Sequence, residues 1–369
     1  MEESEIMRRA IELARRGAGW TSPNPLVGAV IVKDGRVIGE GWHAQAGGLH
    51  AERHALQNCV EDPAGATLYV TLEPCCHTGR TPPCTQAIME AKLACVVYGS
   101  MDPNPMVRGK GAQQLREAGI AVKAGVQREA CDALNPIFFH YITQKTPFVS
   151  LKYAMTADGK IASRTGASKW ITGSEARAYA HRLRHLHRGI LVGIGTVLAD
   201  DPLLNCRMEG GRNPVRVVCD SQLRMPLSSR LCKTAHEIPL IVAAAADHAE
   251  KRAALEACGA QVWILPEKDG RISLPALMRR LGAQNIDSLL AEGGGILHES
   301  LLRAGFCQRV YAMIAPKLFG GKDAKTPVEG EGIASPDEAY LLRLTGVQQL
   351  GEDLLLTYDK GDRNVYRNH

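Results

Sequence analysis

The chain has no run of about 18 consecutive apolar residues, the length at which a helix can cross a membrane, so no spanning helix is expected. Its opening residues, Met1-Glu2-Glu3-Ser4-Glu5, are acidic and lack the apolar core of a secretion signal. Aromatic residues make up only 5%, and no long Lys/Arg run occurs. The stacking platforms and basic stripes that hold nucleic acids are therefore absent, and no nucleic-acid partner is expected. Internal repeats and low-complexity tracts are absent too, which sets repeat architectures aside. The net charge of +5 is small for 369 residues and suits an anionic small molecule such as a phosphate.

What is present fits an ordinary globular chain of two domains. The length exceeds one typical domain. With 45% hydrophobic and 22% charged residues, the chain can bury normal cores. Eleven cysteines without a secretion signal read as reduced thiols of a cytoplasmic protein, with a metal site among them. Cys59, Cys95, Cys219 and Cys258 are expected to be buried small hydrophobes.

Hydrophobic spacing predicts helices over 5–16, 50–58, 85–91 and 112–118. It predicts strands over 27–32, 37–41, 67–72, 95–98 and 120–122. Alternation of helices with short apolar strands implies an α/β sandwich. The polar stretch Thr143-Gln144-Lys145-Thr146-Pro147 marks a boundary, dividing the chain into 1–145 and 146–369. Beyond it come strands over 148–154, 190–192, 215–219, 240–244, 262–265, 288–291, 310–315 and 354–358. Helical segments lie between several of them, notably 175–186 and 249–258. A second α/β domain with a mostly parallel sheet follows.

The chemistry is concentrated in His50-Ala51-Glu52, Pro74-Cys75 and Pro82-Pro83-Cys84. One imidazole and two thiolates can hold zinc and leave its fourth position open to water. A glutamate two residues after the histidine can handle that water's proton without binding the metal. His50 and Glu52 fall at the start of a helix, Cys75 just past a strand end, and Cys84 just before the next helix. The generic signature is H-x-E followed by P-C-x-x-C. Here eight residues separate Cys75 from Cys84. The competing arrangement is a closed structural zinc site made by Cys75, Cys76, His77 and Cys84.

In the second half, Gly193-Ile194-Gly195 follows a strand, but Leu198 stands where the dinucleotide fingerprint needs its third glycine, so a tight turn is expected. Ala291-Glu292-Gly293-Gly294-Gly295 leads from a strand into a helix, a setting whose backbone N–H groups can cradle a diphosphate.

Taken with Thr21-Ser22-Pro23-Asn24-Pro25, Gly79-Arg80-Thr81-Pro82-Pro83-Cys84 and Asp102-Pro103-Asn104-Pro105, the zinc segments resemble the deaminase domain of the bifunctional deaminase/reductase family of riboflavin biosynthesis. The eight-residue cysteine gap is the spacing of that family. Leu151-Lys152-Tyr153-Ala154, Ser168-Lys169-Trp170-Ile171-Thr172 and the glycine segments resemble its reductase domain, in the same order along the chain.

The resemblance implies a cytidine-deaminase-like α/β/α zinc domain followed by a dihydrofolate-reductase-like α/β domain that uses NADPH. It implies zinc on His50, Cys75 and Cys84, with Glu52 as the catalytic proton carrier. Asn24, His43, His77, Arg80, Asp102 and Asn104 would line the pyrimidine pocket. Ala154, Trp170, Thr196, Asp200 and the run Gly294, Gly295, Ile296, Leu297, His298, Glu299 and Ser300 would meet NADP. Ser168, Arg184, Leu204, Arg207 and Glu292 would meet the sugar phosphate. Cys76 departs from the family, which usually has serine there. The implied activity is hydrolytic deamination of 2,5-diamino-6-ribosylamino-4(3H)-pyrimidinone 5′-phosphate, then NADPH-dependent reduction of its ribosyl group. A homodimer or larger homo-oligomer is implied as well. The alternative is a nucleoside or tRNA base deaminase with an unrelated C-terminal domain.

Overall fold

The computed structural model describes residues 2–77 and 82–361. Two compact units divide the chain, Met1–Lys145 and Thr146–His369.

The first unit is built on strands β1 (Gly28–Lys33), β2 (Arg36–Trp42), β3 (Thr67–Leu72), β4 (Cys95–Ser100) and β5 (Ala121–Ala124). Their order is β2-β1-β3-β4-β5, with β1 antiparallel to β2 and β3, and β3, β4 and β5 parallel. Side chains alternate across a strand, so each strand feeds two cores. Ala29, Ile31, Leu68, Val70, Val96 and Tyr98 pack with Ala51, Ala55, Ile88 and Leu115 of the helices Ala51–Gln57, Cys84–Glu90 and Lys110–Glu117. Val30, Tyr69 and Val97 face the other way, onto Ile6, Met7 and Ala10 of the helix Glu3–Arg15. The result is the three-layer sandwich expected. Two helices that the spacing does not predict, Arg128–Asp132 and Pro136–Gln144, complete the unit.

The second unit contains β6 (Phe148–Thr156), β7 (Gly189–Gly193), β8 (Val215–Cys219), β9 (Leu240–Ala244), β10 (Gln261–Ile264), the ribbon β11 (Glu267–Lys268) with β12 (Arg271–Ile272), β13 (Ser288–Ala291), β14 (Arg309–Ala315), β15 (Leu342–Leu350) and β16 (Asp353–Lys360). The main sheet runs β10-β9-β8-β7-β13-β6-β14-β16-β15. It is parallel as far as β14 and antiparallel through β16 and β15. Leu191, Val217 and Ile241 enter one core, while Ile190, Val192, Val218 and Val242 enter the other. Truncating a leucine at such a position costs about 2–5 kcal/mol.

Two expectations fail here. Gly193-Ile194-Gly195 is not a bare turn: Gly193 is the N-cap of a helix over Ile194–Asp200, whose Ile194 and Val197 are buried. Cys59, Cys95, Cys219 and Cys258 are half-buried, because each packs at the margin of a core and not in its interior. None of the eleven cysteines is in a disulfide.

Candidate active sites

In the first unit, His50 is the N-cap of the helix Ala51–Gln57, and Cys84 is the first residue of the helix Cys84–Glu90. Cys75 lies three residues past the end of β3. These three places converge. His50 Nδ1 is 3.5 Å from Cys75 Sγ and 3.3 Å from Cys84 Sγ. One ligand atom from each residue falls within 4.8 Å of the others, and among the described residues this is the only such group. Two ligands on one tetrahedral zinc, bonded at about 2.0–2.3 Å, stand roughly 3.6 Å apart, so the spacing and the donor set both fit that ion. The closed four-ligand alternative is not formed: Cys76 Sγ faces the Met106 carbonyl at 3.8 Å instead.

Charge at the cluster is tightly coupled. The Cys75 thiol is drawn down to about 4, chiefly by its hydrogen bond with Cys84 and next by His50. Cys84 is pushed up by the same bond and by burial, so it keeps the proton of the pair. His50 is raised, mostly by Cys75. Glu52 sits in the first helical turn and is only 4% exposed. Burial, helped by the Cys75 thiolate, lifts its carboxyl to about 7, so it can take or give a proton near neutrality.

Beside the cluster, the His43 ring meets that of His50 edge-on at 5.4 Å. His43 Nδ1 lies 2.8 Å from the Leu49 carbonyl and Nε2 lies 3.1 Å from Asn24 Nδ2. A neutral ring donating from Nδ1 and accepting the Asn24 amide at Nε2 satisfies both, and burial lowers the His43 pKa accordingly. The Asn24 loop is held by a residue that the sequence does not single out. Asn135 accepts from the Leu26 N–H at 2.7 Å and donates to the Leu26 carbonyl at 2.9 Å. Asp102 accepts from the Asn104 N–H, and Asn104 accepts from the Met106 N–H, so both side chains shape their own loop. Burial pushes Asp102 up to about 6. His77 Nδ1 is buried without a partner among the described residues. Arg80 lies outside the described residues.

In the second unit the candidate residues lie on several separate segments, with Glu292 just past the end of β13. Glu292 forms a two-pronged pair with Arg184, at 2.7 and 2.9 Å, and Lys152 of β6 stands 3.8 Å away. Burial alone would raise the Glu292 carboxyl, but Arg184 and Lys152 outweigh it and hold it at about 2. Arg184 also donates to the Asn205 carbonyl at 2.9 Å, so each of its guanidinium nitrogens is already engaged by protein. Arg207 is exposed and reaches the Asn205 side chain. Leu204 is buried, with φ +52°. Ser168 donates to Asp200 at 3.3 Å, joining a residue expected at the sugar to one expected at the cofactor. Ala154 is half-buried in β6.

After Glu292 the chain turns through Gly294, at φ +74°, into the helix Gly295–Arg303. Thr196 Oγ1 lies 2.6 Å from where a Cβ on Gly293 would stand, so this turn packs closely on the helix Ile194–Asp200. Gly294 and Ile296 are exposed, whereas the side chains of Leu297, His298 and Glu299 are buried. His298 faces the Pro327 and Ala291 carbonyls, Glu299 pairs with Arg303, and Ser300 donates to the Ile296 carbonyl. What remains open to a dinucleotide is Gly294 and the start of the helix at Ile296, where backbone N–H groups suit phosphates. The indole of Trp170 is 61% exposed, with the Arg177 guanidinium 4.9 Å from its ring centre. Lys317 fastens its backbone by donating to the Trp170 and Ile171 carbonyls at 3.1 and 2.6 Å. No local pattern in the sequence points to Lys317.

Fold and sites together define a class: a zinc deaminase unit and an α/β reductase unit in one chain. Residues 1–100 match the zinc-binding region of cytidine and deoxycytidylate deaminases, and residues 147–356 match the RibD C-terminal domain. The riboflavin biosynthesis protein RibD of Actinobacillus pleuropneumoniae is 53% identical, covering 97% of this chain and 95% of its own. That of Escherichia coli is 38% identical, covering 96% and 99%. Among solved structures, Acinetobacter baumannii RibD superposes with a TM-score of 0.88 at 36% identity, covering 98% of this chain and 99% of that one. A Thermotoga maritima diaminohydroxyphosphoribosylaminopyrimidine deaminase/5-amino-6-(5-phosphoribosylamino)uracil reductase gives 0.87 at 38% identity, covering 97% and 99%. The chain belongs to the RibD family of bifunctional riboflavin biosynthesis enzymes. Among the described residues, no helix is long and apolar enough to cross a membrane.

Proposed function

We propose that this chain performs two consecutive steps of riboflavin synthesis. Its first unit deaminates 2,5-diamino-6-ribosylamino-4(3H)-pyrimidinone 5′-phosphate at C2, and its second reduces the ribosyl group of the product to ribityl. The observation that carries the reading is the convergence of His50, Cys75 and Cys84 beside a buried Glu52.

His50, Cys75 and Cys84 would hold the zinc, which when bound supplies Lewis acidity and lowers the pKa of water at the site. Glu52 carries the protons of the step. Buried beside the cluster, its carboxylate can accept one proton at an oxygen and return it to the ring nitrogen or the departing amine. Asn24 and His43 hold each other in one orientation, so the Asn24 amide is pre-set to read a pyrimidinone edge. His77, Asp102 and Asn104, with Arg80, would complete the pocket.

In the second unit NADPH supplies the hydride, and the protein's task is to place the sugar against it. Trp170, Ala154, Thr196, Asp200 and the 294–300 turn would hold the cofactor. Ser168, Leu204, Arg207 and the Glu292–Arg184 pair would hold the sugar phosphate. Arg184 is pinned by Glu292, so it acts as a fixed positive wall, while the exposed Arg207 offers the freer guanidinium. Eleven free thiols and the metabolic role support action in the cytoplasm, as a homodimer or larger assembly of the kind implied for the family, and without nucleic acid.

The test is to supply the diaminopyrimidinone ribosyl phosphate to zinc-loaded protein and follow ammonia and NADPH together. Ammonia first, then NADPH oxidation dependent on it, is the expected result. Ammonia from cytidine or RNA, with none from this substrate, would overturn the reading in favour of a nucleoside or tRNA base deaminase.

A further inference from the structure

We infer that Glu73 is a positioning residue for the metal site: its carboxylate fastens the Pro74-Cys75 segment to the start of the helix Lys110–Glu117, and so fixes Cys75 among its fellow ligands. The inference rests on the reading that His50, Cys75 and Cys84 hold zinc.

Glu73 follows β3 directly and is 2% exposed. Its N–H extends the sheet by donating to the Ser100 carbonyl at 2.9 Å. Its side chain then leaves the sheet for the neighbouring helix. One carboxylate oxygen accepts from the Gly109 N–H at 3.0 Å and the other from the Ala112 N–H at 3.2 Å. The N-cap of that helix is Gly109, in the left-handed region at φ +77°, with no side chain to cap its own orphan N–H groups. Glu73 supplies the missing cap from 36 residues away. Two donors need two acceptors, which a carboxylate has and an amide lacks. The negative charge also matches the positive end of the helix.

A second contact clamps the same joint. A Cβ on Gly111 would stand 2.1 Å from the Pro74 carbonyl oxygen, so the helix start lies flush against the residue preceding Cys75. The loop bearing Asp102 and Asn104 runs into this helix start, with the Asn104 carbonyl accepting from the Val107 and Arg108 N–H groups and the Val107 carbonyl from that of Lys110. The ligand segment and the substrate-side loop are therefore tied at one point, and Glu73 is the tie.

The experiment uses the full-length, zinc-loaded chain and measures the rate at which zinc passes to a colorimetric chelator. The visible spectrum of the cobalt-substituted protein reports ligand geometry. Glu73→Gln leaves one of the two N–H groups facing an NH₂, and zinc loss is expected to accelerate about tenfold or more, the scale of outer-shell effects on metal sites. The cobalt spectrum should change too, while NADPH-dependent reduction of the deaminated substrate stays at the wild-type rate. Gly111→Ala presses chiefly on the Pro74 carbonyl, 2.1 Å from the new Cβ, and meets the Glu73 carboxylate only at van der Waals distance, 3.5 Å, and should also speed zinc loss. A folded Glu73→Gln protein with wild-type zinc release and cobalt spectrum, changed only in Tm, overturns the inference and leaves Glu73 a plain helix cap. Should Glu73→Gln not fold, wild-type zinc retention in Gly111→Ala overturns it equally. Wild-type protein that takes up no zinc would sink the metal reading itself, an outcome distinct from an indifferent variant of a zinc-loaded enzyme.

Discussion

In the N-terminal unit, three ligand atoms from segments 25 and 34 residues apart in sequence meet within 4.8 Å, and the side chains themselves are the chemical instrument. In the C-terminal unit the candidate residues spread over several helices, strands and loops, and several charged groups there are engaged within the protein. Glu292 is held by Arg184 and Lys152, Glu299 by Arg303, and both His298 ring nitrogens face carbonyls. The difference follows from the tasks. A metal site must bring donors to about 2 Å of one point. A hydride-transfer site must present a rigid, shaped surface to a cofactor that carries its own reactivity.

Substitutions can break or sharpen that contrast. The largest effect is expected at Glu52. Glu52→Gln should lower ammonia release by about 10²–10⁴-fold while zinc content and reduction of the deaminated substrate remain, which zinc analysis and NADPH absorbance would check. Loss of reduction in that variant would mean the two sites are not independent.

Next comes Glu292→Ala, which leaves Arg184 and Lys152 as buried cations without their acid. It should cost about 3–5 kcal/mol in urea unfolding of the second unit and leave ammonia release intact. Because the folded Glu292 carboxyl lies near 2 and an unfolded one near 4.5, the stability from its pairing is fully present above pH 4.5. The gap between wild type and Glu292→Gln should therefore close as pH falls from 4.5 towards 2, and a gap that widens would reverse the assignment.

Smaller effects are expected where the reductase surface is merely presented. Arg177→Ala removes the cation beside the exposed Trp170 and should raise KM for NADPH about two- to fivefold with kcat little changed. Smallest of all is Cys76→Ser. Its sulfur is outside the ligand group, so zinc stoichiometry and deamination should stay at wild-type values.

Much of this architecture can be read from sequence where periodicity is strong. The strands 67–72, 215–219, 240–244 and 288–291 have the bounds the sequence predicts, because nearly all their side chains, Arg216 included, are buried. β15 escapes such reading, since Arg343, Thr345, Gln348 and Gln349 leave it largely exposed and its pairing with β16 slips between Leu344 and Gly346. The helix Ile194–Asp200 escapes for a different reason: two glycines punctuate its start and imitate a turn. At the sites, the His50, Cys75 and Cys84 group is legible because one chemistry, metal binding, demands those residue types. The Arg184–Glu292 pair spans 108 residues and the Glu73 tie 36, and no local pattern encodes either partner.

The Asn135 side chain, which pairs with both polar groups of the Leu26 backbone as a neighbouring strand would, also bears on how this enzyme can be taken apart. The match to the deaminase zinc-binding region ends at residue 100, yet the loop that carries Asn24 is held from residue 135. A gene fragment cut where that match ends would keep His50, Cys75 and Cys84 and lose the Asn135 contacts to the Leu26 backbone. The smallest portable deaminase is thus longer than the sequence that advertises it, and domain shuffling or truncation should respect the Asn135 contacts, not the motif.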